Sequence, residues 1–228
     1  MRARTLGDGL EVPAIGFGAM VLSPGMYGEV DEERGLAALD HAIGAGATFI
    51  DTADGYGGGG NEELVGRAIA GRRDELVIAT KFGLNLPDGV EAHRFPVGYE
   101  FGELGVNGEP RNVRGYLEAS LRRLGTDRVD LYYPHFPDPE VAIEDTVAAV
   151  AELVREGLVG HIGLSNVSAD QLARAPASPD RRRPGRVVAL EPRRRARAGA
   201  AGAAPGRRGG GVGTARQRVP RRRGGPRG

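Results

Sequence analysis

The 228-residue chain predicts an α/β fold built on a parallel sheet, and three observations carry that expectation. Short apolar runs of strand length alternate with longer stretches whose apolar residues recur at helical spacing. The helical stretches open at capping or acidic residues and close at glycines, so each unit has a beginning and an end. Strand followed by helix followed by strand requires crossover connections and hence parallel pairing. Such repeats either close into an eight-stranded barrel or lie open as a doubly wound sheet.

The elements follow in order. AIGFGA (14–19) reads as the first strand, and a helix with Leu36, Leu39 and Ile43 on one face starts at Asp31 and stops before Gly46. TFIDTAD (48–54) is the second strand. Asn61, followed by Glu62 and Glu63, stands where the next helix wants an N-cap acceptor. LVIATK (76–81) is the third strand, and Val113, Leu117, Leu121 and Leu124 mark a helix closed by Gly125. VDLYYPH (129–135) is the fourth, with Tyr132 and Tyr133 on opposite faces, one packed outward under a helix and one inward. A helix over Ile143, Val147, Val150 and Val154 ends at Gly157, and VGHIGLSN (159–166) is the fifth strand. Residue 175 thus closes about five of the eight βα units a barrel needs. Long connections over 20–30 and 82–110, the second carrying Phe95, Tyr99 and Phe101, leave strand C-terminal ends, where a substrate-covering role is expected.

Composition divides the chain in two. Residues 1–175 hold 15 Arg or Lys against 28 Asp or Glu, whereas 176–228 hold 16 Arg against Asp180 and Glu191. All twelve Phe and Tyr lie at or before Phe136. The expected organisation is therefore a partial barrel over 1–175 and a basic, low-complexity, disordered tail over 176–228. The absence of cysteine excludes thiol chemistry and disulfides. MRARTLGDG lacks the apolar core of a signal peptide, and no apolar run approaches membrane-spanning length, so a cytoplasmic location without membrane association is the expectation.

Lys81 is the only lysine in a chain that otherwise makes every cation an arginine, and an ammonium is a compact charge that a forked guanidinium does not replace. It shares the strand C-terminal ends with Asp51, Tyr56, His135, Ser165 and Asn166. The chemistry suited to this set is proton donation to a carbonyl oxygen while a hydride reaches its carbon. A phenol, with a reference pKa of about 10, needs a nearby ammonium to favour its phenolate, and a carboxylate to hold that ammonium. Tyr56, Lys81 and Asp51 are candidates for those roles, His135 for orienting the carbonyl, and Ser165 with Asn166 for a carboxamide-bearing ring. The hydride must come from a cofactor, since no side chain donates one.

IDTADGYGGGGNEELVGRAI, LVIATKFG, SLRRLGTDRVDLYYPH and GHIGLSNVS together resemble the aldo-keto reductase family in order and spacing, over about residues 1–175. The resemblance implies a (β/α)8 TIM-type barrel, incomplete here, that reduces small aldehydes and ketones with NADPH. It implies Tyr56 as general acid, Asp51 and Lys81 as its tuning pair, His135 as the substrate-orienting residue, and Ser165, Asn166 and Asp51 on the cofactor side. Phe136 departs from the polar or basic residue the family commonly carries after the histidine. No metal site is expected, and oligomeric state is not legible.

The remaining features read blandly. Gly57 to Gly60 is a flexible loop rather than a phosphate cradle, because Glu62 and Glu63 follow it. His41, His93 and His161 are packing or surface residues. The tail supplies neither the aromatic nor the ordered basic positions that the family's later units contribute to the cofactor. Synonymous codons read one nucleotide later would spell TVAGLVEWSLWSRD over 180–194 and PGSGFLAG from 215, both similar to family segments, so a frameshift near residue 176 is expected. The alternatives are a non-catalytic remnant or a tail that binds polyanions through phosphate contacts, without specific nucleic-acid recognition.

Overall fold

The computed structural model describes residues 1–7, 9–24, 31–96, 102–175 and 187–190. A hairpin of β1 (Ala3–Leu6) and β2 (Leu10–Pro13) precedes the main sheet. That sheet contains β3 (Phe17–Gly18), β4 (Phe49–Asp51), β5 (Val77–Phe82), β8 (Val129–Pro134), β9 (Val159–Ser165) and β10 (Val187–Leu190). Its order is β10-β9-β8-β5-β4-β3, with every pair parallel. The first five strands expected from the sequence are all present. β10 lies inside the segment expected to be disordered, where its backbone pairs with Ile162 to Ser165; the rest of 176–228 falls outside the described residues.

The crossovers are helices, α1 (Glu32–Gly44), α2 (Gly60–Ile69), α3 (Pro110–Leu124) and α4 (Ile143–Arg155), with the short α5 (Ala169–Arg174) after β9. Asp31 caps α1 by accepting from the Arg34 amide, and Gly125 ends α3 in the left-handed region, as expected. Asn61 does not cap α2. It is buried, accepts from Thr52 Oγ1 at 2.7 Å, and donates to Ala19 O and Ser23 Oγ, while Gly59 takes the cap position. Glu62, expected in the first turn of this helix, is also buried, held by Thr80 Oγ1 and the Arg123 guanidinium.

Side chains alternate across each strand, and two separate clusters result. On the helix side, Ile50, Ile78, Tyr132 and Ile162 pack with Leu39, Leu117 and Val150. On the other face Ala79, Leu131 and Tyr133 pack with Leu10 and Val12, so the hairpin covers that side of the sheet. Tyr132 faces outward and Tyr133 inward, as the alternation requires. Each fully buried side chain of this size contributes about 1.5–3 kcal/mol of transfer free energy.

The connection expected as a loop over 82–110 contains an antiparallel hairpin, β6 (His93–Pro96) with β7 (Glu103–Val106). It is tied to the segment after β8 by Asp138, whose buried carboxylate meets His93 Nδ1 and accepts from the Gly108 amide at 2.7 Å. This contact, led by the hydrogen bond to Asp138, raises the His93 pKa above its ordinary value.

Candidate active site

Strand parity and register bring the first three groups together. Asp51 pairs with Ala79 across β4 and β5, and Lys81 pairs with Tyr133 across β5 and β8; Ala79 and Tyr133 belong to the inner cluster. Asp51 and Lys81 therefore meet at the strand ends, with Lys81 Nζ 2.6 Å from Asp51 Oδ2. Tyr56 reaches the same point from a single tight turn, Tyr56–Gly59, which leads directly into α2. Gly57, Gly58 and Gly59 hold φ values of 58°, 62° and 101°, a left-handed run that side chains would strain. The segment expected as a flexible loop is thus an ordered reversal that presents Tyr56.

The Lys81 ammonium has three N–H donors and finds three acceptors: Asp51 Oδ2, Thr52 O at 3.0 Å and Tyr56 OH at 3.1 Å. Its position is fixed by saturation as well as by charge. Because the lysine donates, the Tyr56 hydroxyl proton is not consumed in that contact. Tyr133 OH donates to the second oxygen of Asp51. Burial raises the Asp51 pKa, and the adjacent Lys81 partly opposes that rise.

His135 follows β8, its amide donating to Phe82 O at 3.0 Å. Its ring stands edge-on to Tyr56 at 5.4 Å and 82°, and stacks on Phe136 at 5.3 Å and 9°. Burial, then the Lys81 charge, pushes the imidazole down to about 3, so it is neutral at ordinary pH. Nδ1 is buried without a partner among the described residues. An orphaned acceptor costs less than an orphaned N–H, which places the proton on Nε2. Asn166, at φ 58°, donates from Nδ2 to His135 O at 2.9 Å and to Ser165 Oγ at 3.1 Å. The loop after β9 is thereby joined to the histidine. A cleft of about 200 Å³ beside Asn166 is lined by Phe95, Phe136, Pro137, Ser168 and Gln171.

The six residues singled out in the sequence thus stand at the C-terminal ends of β4, β5, β8 and β9, with contacts that link Asp51, Lys81, Tyr56 and His135, and His135, Ser165 and Asn166. Sequence reasoning missed Tyr133, although its register with Lys81 follows from parity once β5 and β8 are paired. It also missed Asp54, whose role depends on contacts with a different loop. No group of three or more metal-ligating side chains occurs among the described residues.

A parallel sheet with polar groups gathered at its strand C-terminal ends is the architecture of the barrel folds. The chain belongs to the aldo/keto reductase family, whose model matches residues 14–193. It is 44% identical over 168 residues to the aldo-keto reductase yakc [NADP(+)] of Schizosaccharomyces pombe, covering 73% of this chain and 46% of that protein. It is 40% identical over 171 residues to probable aldo-keto reductase 1 of Glycine max, covering 75% and 46%. Among solved structures, the holo form of an aldo-keto reductase from Bacillus halodurans aligns with a TM-score of 0.63 at 32% identity, over 78% of this chain and 54% of that one. The chain spans about half the length of the curated relatives it matches.

Proposed function

We propose that these residues form a carbonyl-reduction centre that acts on small aldehydes and ketones with NADPH. The observation that carries this reading is the triad in which buried Lys81 touches both the half-buried Asp51 carboxylate and the hydroxyl of buried Tyr56. Tyr56 donates the proton to the carbonyl oxygen, and the Lys81 ammonium stabilises the phenolate left behind. Asp51 holds the ammonium in place. Neutral His135 directs its Nε2–H toward the carbonyl oxygen and fixes which face of the carbonyl is presented. The side chains suit a nicotinamide: the Asn166 amide oxygen accepts no hydrogen bond among the described residues, and Ser165 Oγ accepts from Asn166 Nδ2 at 3.1 Å. When bound, the reduced ring supplies the hydride to the carbonyl carbon. The NADP(+) in the name of the fission-yeast relative supports the choice of NADPH.

The basic tail bears on the test. A change of reading frame near residue 176 is part of this reading, because the recoded stretch that resembles family segments begins at residue 180. The test is NADPH consumption with a small aldehyde, run on this chain and on a version whose coding DNA is read one nucleotide later from about residue 176 onward. Aldehyde-dependent consumption by the restored version is the expected result. A folded restored version that consumes no NADPH would sink the proposal. Among the described residues no helix is long and apolar enough to cross a membrane.

A further inference from the structure

Asp54 lies two residues before Tyr56 and is 1% exposed. Its amide donates to Lys81 O at 2.9 Å. Its Oδ2 accepts from three successive amides at the exit of β5: Gly83 at 2.9 Å, Leu84 at 3.2 Å and Asn85 at 3.1 Å. Three consecutive N–H groups turned on one oxygen form an anion nest, built here around a side chain of the neighbouring loop. The tie is reinforced nearby, since Asn85 Nδ2 donates to Gly58 O at 3.1 Å, and a Cβ on Gly55 would come within 2.8 Å of Leu84 Cβ. The loop that carries Tyr56 and the strand that carries Lys81 are thus fastened to each other on both sides of the reacting pair.

We infer that Asp54 is a positioning residue: its carboxylate, seated in the amide nest of residues 83–85, sets the Tyr56 hydroxyl against the Lys81 ammonium. This rests on the proposed function for its purpose, but not for its geometry. The arrangement also has a cost that a purely structural link would avoid. Burial raises the Asp54 pKa to about 6 even against the three amide hydrogen bonds, and its Oδ1 has no partner among the described residues. An uncharged linker would hold two loops without that penalty; the carboxylate alone presents one oxygen strong enough to gather three amides.

The experiment follows the titration of Tyr56 by NMR with isotope-labelled tyrosine, its signal assigned by its loss in Tyr56→Phe. Lys81→Met first shows in which direction the missing ammonium moves that titration. Asp54→Ala is expected to move it in the same direction, and Asp54→Asn, whose neutral oxygen is the weaker acceptor for the three amides, to restore the wild-type midpoint only in part. A shift in Lys81→Met with none in Asp54→Ala overturns the role of Asp54 and leaves the proposed function standing. No shift in Lys81→Met removes the basis of the proposed function itself. Amide hydrogen exchange in the unmodified chain gives an independent reading should Asp54→Ala fail to fold: slow exchange at Gly83, Leu84 and Asn85 is expected, and exchange at free-loop rates there overturns the clamp.

Discussion

Lys81 illustrates how much a single side chain can report before any coordinates exist. Its isolation among arginines pointed to a position where a guanidinium would not serve, and its three donors meet three acceptors. Tyr133, by contrast, looked like one of two alternating core residues, and nothing local marked it as the donor to Asp51. Tyr133→Phe removes that donor from the half-buried Asp51 carboxylate, so a loss of about 1 kcal/mol is expected in urea unfolding at neutral pH. No loss would show that Asp51 does not depend on it.

His135 gives a second expectation at this scale. Its pKa is held at about 3 when folded, against an ordinary value of 6.5. Below about pH 6.5 the unfolded chain therefore takes up a proton that the folded chain refuses until about pH 3. The corresponding stability is fully present above that window and is lost as pH falls through it, amounting to about 2 kcal/mol at pH 5. Asp54 acts in the opposite sense, because its raised pKa makes the folded chain hold its proton longer as pH rises from about 4 to about 6. The wild-type curve sums these two with the other shifted groups, Asp51 and His93 among them. Comparing His135→Gln with wild type at pH 7 and pH 5 isolates the imidazole: the variant is expected to lose less stability on acidification.

At the scale of elements, hydrophobic period was a sound guide wherever a segment was long and packed on one side. Five strands and the amphipathic helices were legible for that reason. Asn61 misled because a polar residue followed by two glutamates is a helix start by local chemistry alone, whereas contacts to Ala19 and Ser23, some forty residues away, decide its role. The β6–β7 hairpin was hidden because its strands are four residues long and include Pro96 and Gly105. Helix contacts can be tested directly. Gly66 lets α2 approach α3 so closely that a Cβ would lie 2.7 Å from Arg123 O and 2.8 Å from Leu124 O. Backbone oxygens cannot rotate away, so Gly66→Ala is expected to cost about 1–3 kcal/mol in thermal or urea unfolding. In β9, a Cβ on Gly163 would lie 2.3 Å from Tyr133 Cδ1, which makes that glycine the seat of the Tyr133 ring. Gly163→Ala is expected to destabilise the chain, and to do so less in a Tyr133→Ala background, where the clash is absent.

For the whole molecule, the change in composition after residue 175 concealed β10, a four-residue apolar run set among arginines. A strand that short has no readable period, and only its pairing with β9 identifies it. The larger consequence is functional, because the carbonyl-reduction reading joins groups from four strands and survives only if they act as one centre. The most direct measurement is the rate of NADPH oxidation with a small aldehyde by the frame-restored chain and by its Tyr56→Phe variant, with NADPH affinity measured on both. The expected result is a fall in kcat of at least about a hundred-fold with NADPH affinity unchanged. Equal rates in the two proteins would contradict the assignment of Tyr56 as proton donor, and with it the centre described here.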